Sequence, residues 1–422
     1  MAPAGSAGPL SGPQPGPDLA DLRVLRRLLL ALIAAGDGPP HATLAGLTPA
    51  DWHALDDMAW QHRLQPLLHA RRGLGSTTPA TVPQPILERW SAAYRTSGLR
   101  ALKARADLAE TTARLESAGF APIALKGAWL AWHAYPNPAL RPLRDLDLLL
   151  TPETVIPAFE HLVAQGYTPP ESFEFSLEDA VRIDKHLPPL TSPRGITIEL
   201  HQRLWEIDGR MDHAAPRANE AAVRARAIRN GSIGYPHPAD MLAHLVIHAV
   251  YDHRLDCGPL LLPDIAYLLA PRPFESPIDW APFWAQAEAQ GWREGAALVL
   301  ELVRAHDPAA PVHIPPGAAP PHQVIDAAAD LLLQNLFTRR SAGVVATMTA
   351  RGPAAFWRRI TARRADTHDT ATPVTRDLAG EGGFAQWALT RVRRTVGQLA
   401  QPDVRQQSRD LAALSKWLDA GR

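Results

Sequence analysis

The stretch Arg141-Pro142-Leu143-Arg144-Asp145-Leu146-Asp147-Leu148-Leu149-Leu150 decides the fold. Asp145 and Asp147 alternate with Leu146 and Leu148, the period of a strand with one polar and one buried face. On such a strand the two carboxylates stand side by side while the leucines turn into a core. Like charges that close are unfavourable unless a proton or a cation neutralises them. A divalent ion is the natural partner, and Mg2+, with Mn2+ as the alternative, takes carboxylate oxygens together with phosphates of a substrate.

Working outward, Pro122-Ile123-Ala124-Leu125 is a short apolar run that ends in Lys126-Gly127, eighteen residues before Asp145. After the acidic strand, Thr151-Pro152 restarts a helix that ends near Gly166. Ile183 to Leu190 and Ile196 to Leu200 then read as strands, divided by the turn Ser192-Pro193-Arg194-Gly195. Glu199 is an isolated acid on the second of these strands. Strands next to one another would bring it beside Asp145 and Asp147, and three such carboxylates can hold metal for in-line attack at a phosphoryl group.

Strand, helix, strand, helix and hairpin describe a small mixed sheet, and helical periodicity surrounds it on both sides. The expected class is α+β. Residues 1–17 read as a disordered Pro/Gly-rich tail, 18–104 as a helical region and 105–210 as the catalytic core. Residues 211–307 read as helical again, 308–321 as a Pro-rich linker, and 322–422 as a basic helical region. From residue 339 onward fifteen Lys/Arg face seven Asp/Glu, although 43 basic and 43 acidic residues balance over the whole chain. That neutral total gives no global reason for nucleic acid or a membrane surface as partner. With 46% hydrophobic residues the chain can bury a core, and its single cysteine excludes a disulfide framework and fits a reducing, cytoplasmic setting. No apolar run approaches the roughly 20 residues that span a bilayer, and the first eighteen residues lack a signal peptide's basic start.

Leu125-Lys126-Gly127, Arg141-Pro142, Asp145-Leu146-Asp147 and Glu199-Leu200-His201 together resemble the bacterial uncharacterised nucleotidyltransferases, within the DNA-polymerase-β-like superfamily. The resemblance spans roughly residues 50–270, including the helical stretch around His244, His248 and Asp264. It implies transfer of an NMP from an NTP, ATP included, to an acceptor, with release of pyrophosphate. Asp145, Asp147 and Glu199 would be the metal ligands and catalytic residues; Lys126, Gly127, Arg141, Arg144 and His201 would contact the nucleotide. Ala128 stands where better-known members carry Gly or Ser, so Lys126 would supply the phosphate contact there. The acceptor stays open, with a small molecule, peptide or protein preferred to RNA; a silent scaffold that keeps the fold is the rival reading. His244 and His248, four apart on one helix, lack the glutamate of a zinc-protease motif and read as core histidines. Lys185-His186, ahead of the hairpin turn, is a further candidate pair.

Overall fold

The computed structural model describes residues 19–34, 41–71, 82–171, 176–205, 220–231, 233–270 and 278–339, six positions between 342 and 352, and 401–420. The Pro/Gly-rich start and most of the basic region beyond residue 339 lie outside the described residues.

A mixed sheet of six strands organises the described chain, in the order β3-β4-β2-β1-β6-β5. These are β1 (Ile123–Ala124), β2 (Asp145–Leu149), β3 (Leu190–Thr191), β4 (Thr197–His201), β5 (Ile228–Asn230) and β6 (Ile233–Tyr235). β2 runs antiparallel to β1 and parallel to β4, with Asp145 opposite Thr197, Asp147 opposite Glu199 and Leu149 opposite His201. Because partners in register share a face, Asp145, Asp147, Glu199 and His201 all emerge on one side. Leu146, Leu148, Ile198 and Leu200 emerge on the other, at most 1% exposed, toward the helix Val155–Ala164.

The helix Gln84–Ser117 is the backing of this core. Trp90, Ser97, Ala101, Ala104, Leu108, Thr111 and Leu115 recur at three-to-four spacing and are buried, so one stripe faces inward along its length. Gly119, with φ of 87°, turns the chain out of the helix toward β1. Asp107 of the same helix, fully buried, accepts hydrogen bonds from Ser192 Oγ (2.6 Å) and Arg194 Nη1 (2.7 Å) and so pins the β3–β4 turn.

Two local readings need correction. Ile183 closes a helix, Leu177–Ile183, instead of opening a strand, because Ser176 caps it by accepting from Asp179 N and acidic residues fill its first turn. The stretch 211–307, read as helical, also contributes the β5–β6 hairpin; three-residue strands are too short to show a period.

The helix His322–Leu332 packs against Pro402–Ala420 and against Leu19–Ile33. Arg23 pairs with Asp330 (3.1 Å), Arg26 with Asp403 (2.7 Å) and Arg27 with Asp326 (3.0 Å) across this seam. Leu331, Leu332 and Leu333 are buried there, whereas Phe337 is 62% exposed. Residues 308–321 are irregular but packed: Trp284 Nε1 donates to His313 O (3.1 Å).

Candidate active site

The site is built on one face of the sheet, where β1 ends beside the first residues of β2 and β4. Asp147 is the hub. Its Oδ2 lies 3.0 Å from Lys126 Nζ, and its Oδ1 accepts from His201 Nε2 at 3.2 Å. His201 Nε2 is also 3.6 Å from Glu199 Oε2, which in turn is 3.9 Å from His186 Nε2. One ligand atom each from Asp147, Glu199 and His201 lies within 4.8 Å of the others, a donor set that can hold a divalent metal.

Protonation follows from this crowding. Burial would raise the Asp147 carboxyl, but the charges of Lys126 and His201 outweigh it and hold the group well below the usual carboxylate range. Asp145 has less direct compensation. Burial, then the charges of Asp147 and Glu199, push it up to about 6. Burial acts to raise Glu199 as well, yet the His201 ring 3.6 Å away brings it below its ordinary value. His201 is raised, because Asp147 overcomes the burial that would otherwise lower it. Lys126 at 3.0 Å and the His201 imidazole at 3.2 Å are the groups that face the Asp147 carboxylate.

Backbone geometry places Lys126. It adopts φ of 43° and ψ of −115° between β1 and the short helix Gly127–Trp129, a conformation costing about 1–3 kcal/mol for a side-chain-bearing residue. Gly127 follows because space is lacking: a Cβ there would overlap Arg141 Nη1 and lie 2.8 Å from Leu143 Cδ2. Arg141 cannot retreat, since its Nε and Nη2 each donate to Asp264 at 2.9 Å. Tyr135 Oη donates to the same carboxylate at 2.7 Å. Nη1 is the Arg141 nitrogen left against the turn.

Arg144 is exposed beside Asp145, on backbone that Arg100 grips by donating to Leu143 O and Arg144 O, both at 2.6 Å. Arg63, absent from the expected site, joins this group. Arg63 is exposed, and partial desolvation, then the neighbouring charges of Arg144, Arg141 and Arg100, lower it to about 10, while Asp145 acts to raise it. Its φ of 56° is the one signal of special backbone at that position, and a sequence does not display it.

The profile of the family described as uncharacterised nucleotidyltransferase matches residues 48–306. The chain belongs to this nucleotidyltransferase family. It is accordingly a transferase with a nucleotide substrate. The matched span holds every strand of the sheet, all eight expected site residues, and Asp264. No curated protein matches the chain, and no solved structure does. Among the described residues no helix is long and apolar enough to cross a membrane.

Proposed function

We propose that the protein transfers a nucleoside monophosphate from an NTP to a nucleophilic acceptor, releasing pyrophosphate, on the face formed by β2 and β4. The observation that carries this reading is the parallel register that sets Asp147 opposite Glu199, with Asp145 on the same face. Mg2+, or Mn2+ in its place, held by Asp145, Asp147 and Glu199, would supply charge stabilisation for the phosphoryl oxygens.

The chain's own residues divide the remaining work. Lys126, on its fixed turn, places an ammonium beside Asp147 where it can meet a phosphate, and Gly127 lets the Arg141 guanidinium pack against that turn. Arg141 Nη1 faces the same turn. Arg144 and Arg63 form the outer cationic group suited to the β- and γ-phosphates. Glu199, at the edge of the cluster, takes the proton of the acceptor as it attacks. His201 donates to Asp147 and holds its carboxylate in orientation.

Labelled NTPs incubated with the protein and a cell extract provide the test. Asp147→Asn should abolish labelled product while the fold, followed by circular dichroism, persists. Wild-type yield from that variant would sink the assignment.

A further inference from the structure

His244 and His248 project from the helix Pro238–Ile247 and the π-helical turn His248–Asp252 that continues it. Their surroundings join the active site by a continuous set of contacts. Trp205, four residues beyond His201, meets the His244 ring edge to face at 5.4 Å. Lys185 O accepts from Gln202 N and Arg203 N just past β4, and Lys185 Nζ reaches Asp252 Oδ2 at 3.0 Å. Asp252 Oδ2 lies 3.7 Å from His248 Nδ1, and the His244 and His248 rings are 6.1 Å apart.

This wall is polar, buried and incompletely bonded. His244 is 1% exposed, yet neither of its ring nitrogens has a hydrogen-bond partner. His248 Nδ1, Asp252 Oδ1 and His201 Nδ1 also lack a hydrogen-bond partner. Burying such a group with no partner is unfavourable. A core built only for packing would carry apolar side chains at these positions. Burial, then the charge of Lys126, holds both His244 and His248 well below the ordinary imidazole range and so favours the neutral rings.

Resting on the nucleotidyl-transfer reading above, we infer that His244, His248 and Asp252 form the acceptor subsite and that the acceptor group they take is a neutral hydroxyl. A neutral imidazole offers one N–H donor and one lone pair, and a hydroxyl offers a donor and lone pairs in return. Asp252 Oδ1 accepts only, so its partner must donate. A phosphate or carboxylate ester group has no proton to give and would leave that oxygen unmet. In the reaction the acceptor oxygen forms a bond to the α-phosphorus and the bond from that phosphorus to the bridging oxygen breaks. Pyrophosphate leaves with the electron pair, and the hydroxyl proton passes to Glu199. His244 and His248 act before this step, by orienting the hydroxyl.

The test uses the full chain with Mn2+, each labelled NTP, and glycerol, glucose or myo-inositol at high concentration as hydroxyl probes. Methylamine, acetate and inorganic phosphate serve as the competing classes. Wild-type protein should yield the nucleotidyl-polyol by mass spectrometry. His244→Leu and His248→Leu should lower that yield at least tenfold with the NTP dissociation constant unchanged, and His244→Gln, which keeps a donor and an acceptor, should restore part of it. Leucine variants that transfer at the wild-type rate would overturn the subsite. Product formed with methylamine, acetate or phosphate and with none of the polyols, or no product with any probe, would overturn the hydroxyl class. Wild-type protein that fails to bind any NTP would instead overturn the transfer reading itself.

Discussion

Lys126 Nζ lies 3.0 Å from Asp147 Oδ2, so the ammonium sits where a metal cation would compete for the same carboxylate. Two unit charges at about 4 Å repel by roughly 4 kcal/mol at an effective dielectric of about 20, which sets the ceiling of that competition. Lys126→Met should therefore tighten divalent-cation binding about tenfold, or about 1.4 kcal/mol, while weakening NTP binding. Mn2+ titration by calorimetry reads the first effect. Unchanged or weaker Mn2+ affinity would show that the ammonium does not contest the site.

Asp264 holds Arg141 with two hydrogen bonds of 2.9 Å, and Arg141 in turn fills the space left by Gly127. Asp264→Ala leaves a buried guanidinium uncompensated and should cost about 3–5 kcal/mol in urea unfolding. Gly127→Ala displaces the same guanidinium from the other side. The double variant should lose clearly less than the sum of the two single losses, because one contact is being broken twice. Strict additivity would separate the turn from the ion pair.

Arg63 lies among Arg144, Arg141 and Arg100, and no ion pair involving it occurs among the described residues. Arg63→Gln should leave stability unchanged or slightly improved, since it removes like-charge repulsion. Affinity for inorganic tripolyphosphate should fall about tenfold, with a shallower dependence on salt. Loss of stability without loss of tripolyphosphate affinity would make Arg63 a structural residue.

His62 supplies a pH dependence whose sign is fixed. Its Nε2–H donates to Gln334 O at 3.1 Å, and burial, opposed in part by that bond, lowers it to about 4 from an ordinary value of 6.5. Between those values the unfolded chain binds a proton that the folded chain does not. Stability from this group is complete above pH 6.5 and is lost as the pH falls toward 4, by roughly 3 kcal/mol at most. Asp145 and Asp410, both raised to about 6, act in the opposite direction, so the difference between wild type and His62→Gln is the measurement. Urea titrations at pH 7 and pH 5 should show that the variant loses less stability on acidification. Equal losses would remove His62 from the balance.

The alternating Asp-Leu pattern made β2 legible, and Ile196 to Leu200 located β4 to within one residue. Glu199 was readable as a partner of the acidic pair because an isolated acid on an apolar strand needs a neighbour. Their register was not readable: it depends on which strands pair, and β1 intervenes in the sheet between β2 and β6 without any local mark. His244 and His248 looked like ordinary core histidines because sequence spacing reports the helix face and not whether the ring nitrogens find partners. Arg63 was invisible for a related reason. Its convergence with Arg144 comes from tertiary packing between segments that show no common pattern.

The parallel pairing of β2 with β4 has a bearing on the order in which the protein is made. His201 and Asp147 are 54 residues apart, whereas β1 and β2 are near neighbours that can pair as soon as both have emerged during synthesis. While residues 150–196 are still being added, neither Glu199 nor His201 is yet available to Asp147. The pairing of Asp147 with Glu199 therefore has to wait until the segment carrying β4 has returned to the sheet, a delay set by loop closure and chain length.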